Sequence, residues 1–206
     1  MGTINQSYMD RPDAIRMARG QTVSLRPGAN LGEIYGPGGE VIGHSTNGGI
    51  RNPRKVQIPA GEILLRFGVA PSVGNVAAGS WWLDFDNYKK LESYADSHGA
   101  SVGAAARMLC AVPAEWSSMT LLVQARSLQS LSAFKGEGNP AYATNAVNVQ
   151  SIVNPRLYSK DPVEQLFIPG LSNPDLRKQA LIVRGYRMIP GAEAGFGYAP
   201  ELQLAR

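Results

Sequence analysis

Arg66 stands where a buried strand has little use for it. In Glu62-Ile-Leu-Leu-Arg66-Phe67-Gly68 a guanidinium directly follows an apolar run of β-formers. Its planar fork of donors suits bidentate binding of a phosphate. Phe67 offers a flat surface, and Gly68 lets a ligand approach the backbone closely. Trp81 and Trp82, in Ala78-Gly79-Ser80-Trp81-Trp82-Leu83, add two faces able to cover a flat ring. A second polar residue at the end of an apolar strand is Gln165, in Val163-Glu164-Gln165-Leu166-Phe167-Ile168-Pro169, where a carboxamide can hold a hydroxyl. Read singly, the same residues also fit an exposed edge arginine, a polar strand start and two core tryptophans.

Other chemistries find less support. His44 and His98 are the two histidines, far apart in sequence and without a Cys/His pair at ligand spacing, so no metal site is expected. Cys110 is the one cysteine; it lies in an apolar helical stripe and is expected to be a buried thiol, and no G-x-S-x-G elbow occurs. Asp84 and Asp86 adjoin a helix start, where a capping role is expected, with Asp86 as the N-cap. Gly36-Pro-Gly-Gly-Glu-Val-Ile-Gly43 lacks the Lys-Ser/Thr of a phosphate loop and reads as a turn.

The elements that must position Arg66 and Gln165 are legible in outline. The chain has 206 residues, 44% apolar and 17% charged, with 23 glycines and 14 prolines: a globular composition with many turns and strands. Residues 1–50 read as an N-terminal leader: a short helix around Pro12–Gly20, a hairpin of Glu33–Tyr35 with Glu40–Ile42, then a glycine-rich loop. Residues 51–206 read as the functional domain. Ile58–Gly61 predicts a turn, Glu62–Phe67 a strand, and Tyr88, Leu91 and Ala95 a helix stopped by Gly99. Ser101 caps a second helix with Val102, Ala105, Ala106, Leu109 and Cys110 on its core face, ended by Pro113. Ser118–Ser127, Val163–Pro169 and Gln179–Pro190 predict strands. Residues 135–155 read as mostly loop, 170–178 as a connection, and 191–206 as a loose tail.

Net charge is +4, and Arg51-Asn-Pro-Arg-Lys55 has no aromatic neighbours. That segment reads as a solvated loop rather than a nucleic-acid module. No apolar run reaches membrane-spanning length, and the N-terminus lacks a secretory layout. A cytoplasmic protein is expected, or one delivered into a target cell without a cleavable signal.

The order "LLRFG…GSWWL", then "VEQLFIP" and another strand, resembles the ADP-ribosyltransferase superfamily of NAD-consuming toxins. More particularly, it is similar to the tuberculosis necrotizing toxin type of NAD glycohydrolase. The resemblance implies an α+β fold: a split β-sheet core with two consecutive helices, here behind a strand- and loop-rich leader. It implies NAD as substrate, without a metal. Arg66 would grip the pyrophosphate, and Phe67, Gly68, Ser80, Trp81 and Trp82 would complete the NAD site. Aligning the late proline with Pro169 puts Gln165 on the catalytic place and Val163 on the first glutamate of the family's E-x-E. A one-residue shift would make Glu164 the functional carboxylate instead. The family's serine-threonine-serine strand is missing, with Ser80 the nearest substitute, and so is a histidine expected near Ser117–Val123.

The activity so implied is cleavage of the nicotinamide–ribose bond, with water, a protein or a nucleic acid as acceptor. A neutralising immunity protein or antitoxin is the partner class that accompanies such toxins. Two other readings stay open on the residues alone: a non-enzymatic binding or virion/assembly protein, and a nucleic-acid-directed protein.

Overall fold

Alternating apolar residues and tight turns build most of the molecule as antiparallel sheet. The computed structural model describes residues 2–21, 33–35, 37–38, 41–44, 46–144, 150–190 and 203–204. In chain order they form α1 (Gln6–Met9), α2 (Ala14–Ala18), β1 (Glu33–Tyr35), β2 (Val41–His44), β3 (Arg54–Ile58) and β4 (Ile63–Gly68). Then come α3 (Val73–Ala77), β5 (Trp81–Asp84), α4 (Phe85–His98), α5 (Val102–Leu109), β6 (Leu121–Ser127) and β7 (Leu131–Glu137). The remainder is β8 (Ala141–Thr144), β9 (Gln150–Val153), β10 (Glu164–Phe167), α6 (Pro174–Ala180), β11 (Leu181–Met188) and β12 (Gln203–Leu204). The expected α+β class holds.

One sheet runs in the order β12-β11-β6-β4-β5-β10-β7-β3, every neighbour antiparallel. It cannot be flat. Residues 59–62 alone join β3 to β4, yet four strand spacings separate the two in sheet order. A flat sheet would place them roughly 19 Å apart sideways and start β4 at the far end from where β3 stops. The sheet therefore folds over, and the turn is fixed by Ser127, whose hydroxyl donates to the Pro59 carbonyl at 2.6 Å. Gly61, at φ +92°, takes the left-handed conformation that the turn requires.

The fold-over brings the two halves against one core. Leu64, Ala125 and Leu181 of one half join Ile58, Ala133 and Leu166 of the other in a buried cluster around Trp82. The opposite surface of each half carries helices. Leu83 packs with Leu91, Ala105 and Leu109 of α4 and α5, while Phe134 and Phe167 pack with Met9, Ala14 and Ala18 of α1 and α2. Residues 3–18 thus pack on the main sheet. Asn5, fully buried, donates to the Ser132 and Pro169 carbonyls and accepts from the Ser132 N–H.

Several expectations need correction. The α4 cap is Asp84, which accepts from the Asn87 N–H at 2.9 Å; Asp86 is exposed in the first turn. Residues 135–155 contain the end of β7 and the β8–β9 hairpin, although 145–149 lie outside the described residues. The connection at 170–178 holds most of α6, started by Asn173 as cap and Pro174 at the first position. Arg54 and Lys55 are not loop; they open β3. In the expected tail, 203–204 pair with β11, and the rest lies outside the described residues. The Ser101 cap and the Gly99 stop, at φ 58°, are as expected. The hairpin of the leader is β1 with β2.

Candidate functional site

β5 belongs to both halves of the sheet, and that divided loyalty creates a cavity. Its Leu83 and Asp84 pair with Leu65 and Leu64 of β4, whereas Trp81 and Trp82 pair with Phe167 and Leu166 of β10. Beyond Leu65, then, β4 loses β5. Arg66, Phe67 and Gly68 keep β6 on one side, opposite Val123, Leu122 and Leu121, and face an opening on the other. The opening is a cavity of about 580 Å³, within the usual range for small-molecule sites. It is walled by β4, β5 and α3, by Gln165 of β10, and by the segment after α5.

Arg66 spans the split. Its Nη1 donates to the Trp81 carbonyl, on the strand that has parted from β4, while its Nε is buried without a partner. Burial lowers the guanidinium to about 10, which leaves it charged at neutral pH. Among the described residues no carboxylate pairs with Arg66, and none lines the cavity. A desolvated cation without a counter-charge is costly for a protein to keep. Gly79 makes the placement possible, since a Cβ there would fall 2.0 Å from the Arg66 Nη2.

Gln165 arrives from the other half. It is buried, and its Nε2 donates to the Cys110 carbonyl at 3.0 Å, leaving the carboxamide oxygen as the group's acceptor. Gly138 leaves it room, because a Cβ there would lie 2.9 Å from the Gln165 Nε2. These two glycines are site residues that the sequence reading missed. Gly79 lies in a bend after α3 and Gly138 bridges to Ile50, and the purpose of each appears only against a side chain from another strand.

The remaining expected residues divide. Phe67, Gly68, Trp81 and Trp82 line the cavity together with Arg66 and Gln165. Gly68 is taken up by packing, since Val76 of α3 occupies the place of its Cβ at 2.4 Å. Trp82 is 1% exposed, with its indole N–H donating to the Gly79 carbonyl. Trp81 packs on Phe167, ring centroids 4.9 Å apart. Ser80 and Glu164 do not line the cavity. Ser80 offers its carbonyl to the Ile168 N–H, which extends β5 toward β10. Glu164 accepts from Arg54, Nη2 to Oε2 at 2.7 Å, and its backbone N–H donates to Asn87. Adjacent residues on a strand point to opposite faces, which is why Gln165 reaches the cavity and Glu164 does not.

Cys110 is buried, and burial pushes its thiol up to about 12, as befits an unreactive core residue. His98 is exposed and stacks on Tyr94 at 4.0 Å, while the side chain of His44 lies outside the described residues. Among the described residues no group of acidic, His or Cys side chains is placed to hold a metal ion, and no helix is long and apolar enough to cross a membrane.

Comparison with known proteins adds little. No protein-family model matches the chain, and no curated protein matches it. Among solved structures, one described as "Rhs1-CT in complex with cognate immunity protein RhsI1" is similar at TM-score 0.39 and 10% identity, over 75% of this chain and 84% of that one. A likeness of that degree carries no argument about what this chain does, and the cavity has to speak for itself.

Proposed function

We propose that the cavity binds NAD and that the protein breaks its nicotinamide–ribose bond, with water as the acceptor. The observation that carries this reading is the Arg66 guanidinium, uncompensated among the described residues, on the wall of a cavity that no described carboxylate lines. An anionic ligand such as a pyrophosphate would supply the missing counter-charge. The largely apolar lining favours a ligand that also has flat, uncharged parts.

The chemistry fits a site that no described acidic residue lines. Nicotinamide in NAD is a cationic pyridinium, so when the C–N bond breaks its electron pair neutralises the departing ring and no proton donor is needed. Positive charge passes to the ribose as an oxocarbenium-like species. Water then adds to the anomeric carbon and releases a proton to solvent. Gln165 would orient the ribose through its carboxamide oxygen, and a dipole there stabilises developing positive charge less than a carboxylate does. Arg66 would fix the pyrophosphate so that the strained pose is held.

Hydrolysis is favoured over transfer to a protein. Val163, on the place where the resembled family positions an acceptor, is 2% exposed and packed against α4 and α5. Glu164 is engaged with Arg54 outside the cavity.

Incubation of the purified protein with NAD, followed by separation of products, tests this. Release of nicotinamide and ADP-ribose without labelling of added cell extract is the expected result. Label transferred to extract would favour ADP-ribosylation instead. No loss of NAD in either arm would sink the reading and leave a binding protein.

A further inference from the structure

The aromatic residues singled out in the sequence are poor stacking surfaces, because each is already occupied. Trp82 is fully buried, Trp81 packs on Phe167, and Phe67 lies 6.4 Å from the Tyr88 ring. A fourth aromatic lines the same cavity with open area to spare. Trp116 is 48% exposed, although large aromatics on a folded surface are commonly covered.

Its exposure is not the slack of a loose loop. The segment from Ala111 to Met119 connects α5 to β6 and contributes Ala111, Val112, Ser117 and Met119 to the cavity as well. Arg107 clamps it from α5, with Nη1 donating to the Val112 carbonyl at 3.2 Å and Nη2 to the Ser117 carbonyl at 2.8 Å. Both ends of the segment are non-glycine residues in left-handed backbone, Ala111 at φ 54° and Met119 at φ 55°. Such conformations persist where the surroundings enforce them, and they gather at ligand sites. One edge of the indole ring rests near Gly48, whose Cβ position would lie 3.3 Å from it. The indole is therefore held on one side and open on another, at a cavity that Arg66 also lines.

We infer that Trp116 is the stacking platform of the site and binds a flat heteroaromatic ring carried on a phosphate-bearing ligand. The inference rests on the proposal that the cavity takes NAD in specifying a ring joined to a pyrophosphate, but it concerns binding and not bond cleavage. The ring is either adenine or nicotinamide, which share a π-face and differ in where they sit on the dinucleotide.

Titration calorimetry on the full chain tests it with three probes: ADP, nicotinamide mononucleotide and inorganic pyrophosphate. Trp116→Ala is expected to weaken at least one ring-bearing probe about ten-fold, the order expected for one aromatic–base stack. Pyrophosphate affinity should stay within about two-fold, since that probe has no ring to stack. Trp116→Phe should recover most of the loss, and the probe affected tells which ring it is. A melting curve matching that of the wild type shows that Trp116→Ala still folds. Equal binding of both ring-bearing probes by wild type and Trp116→Ala overturns the inference. So does an equal loss for pyrophosphate, or failure of the wild type to bind either nucleotide. The two proposals fail separately. Trp116-dependent ADP binding without NAD consumption leaves the platform standing and removes the reaction. NAD consumption with an unchanged KM in Trp116→Ala does the reverse.

Discussion

The two ends of the β4–β5 pairing treat charge in opposite ways. At the closed end, Leu64 pairs with Asp84, and the surrounding charges are mutually neutralised. Lys135 meets Asp84 at 2.5 Å and Glu164 at 3.8 Å, and Arg54 meets Glu164. At the open end, Arg66 has a carbonyl and, among the described residues, no carboxylate. The closed end is a finished structure; the open end lacks a partner that the described residues do not supply. Charge that is compensated within the fold accounts for itself. Charge that is buried and uncompensated points outward, to a ligand.

The largest expected effect breaks that contrast at its open end. Arg66→Ala should lower affinity for a nucleotide or pyrophosphate by 100-fold or more, about 3 kcal/mol, the order for truncating one partner of a desolvated charge pair. Calorimetry with ADP checks it, and an Arg66→Ala variant that binds as well as the wild type would remove the reason for calling this an anion site. Thermal stability should not fall with affinity, because the variant also relieves a buried cation.

Gly79→Ala comes next and asks whether the position of the guanidinium matters, not merely its presence. The added methyl would occupy the space held by the Arg66 Nη2 and Cζ, at 2.0 and 2.1 Å. The arginine must swing away, so affinity should fall roughly ten- to thirty-fold, about 2 kcal/mol, while the charge is retained. Unchanged ADP affinity would mean that the observed orientation is not the one that binds.

What was legible beforehand divides along the same line. β4, β6, β10 and β11 show themselves through runs of β-formers, and α4 and α5 through their apolar stripes and caps. Arg66 and Gln165 could be picked out because each is a polar residue set into such a run. The continuation from Lys135 into β8 could not, since Lys135-Gly-Glu-Gly138 carries turn residues. Gly136 is there because Ile50 and the Arg51 carbonyl cross close above it, at 2.6 and 2.9 Å from a Cβ position. Trp116 was invisible for a related reason: nothing local distinguishes a tryptophan kept open from one buried in a core. Those facts belong to contacts between distant segments, and a single sequence does not print them.

At the closed end, Lys135→Ala should cost about 1–2 kcal/mol in denaturant unfolding, less than a fully buried pair because some solvent reaches the group. It removes the cation beside Asp84, while Glu164 keeps Arg54. Burial pushes the Asp84 carboxyl up, but bonds from Lys135 and Asn87 outweigh it and hold the group below its ordinary value. A carboxyl depressed in the folded state contributes stability above its unfolded value, near pH 4, which is lost as the pH falls through the folded value. Wild type should therefore lose stability below about pH 4, and Lys135→Ala should show a shallower loss. Identical acid profiles would show that the closed end is not held by this pair.

The smallest effect is expected at Arg54, and it sharpens the comparison most. Arg54 is a guanidinium like Arg66 but forms an ion pair, holding Glu164 below the usual carboxylate range through its hydrogen bonds while burial opposes them. Yet its side chain is 53% exposed, so water and salt screen what it gains. Arg54→Ala should cost no more than about 0.5 kcal/mol in unfolding, shrinking further in high salt. It should leave ADP affinity and NAD turnover where they were, because Glu164 stays outside the cavity. A change in turnover on removing Arg54 would mean that Glu164 acts on the substrate after all. The division between a structural carboxylate and a carboxamide in the site would then have to be withdrawn.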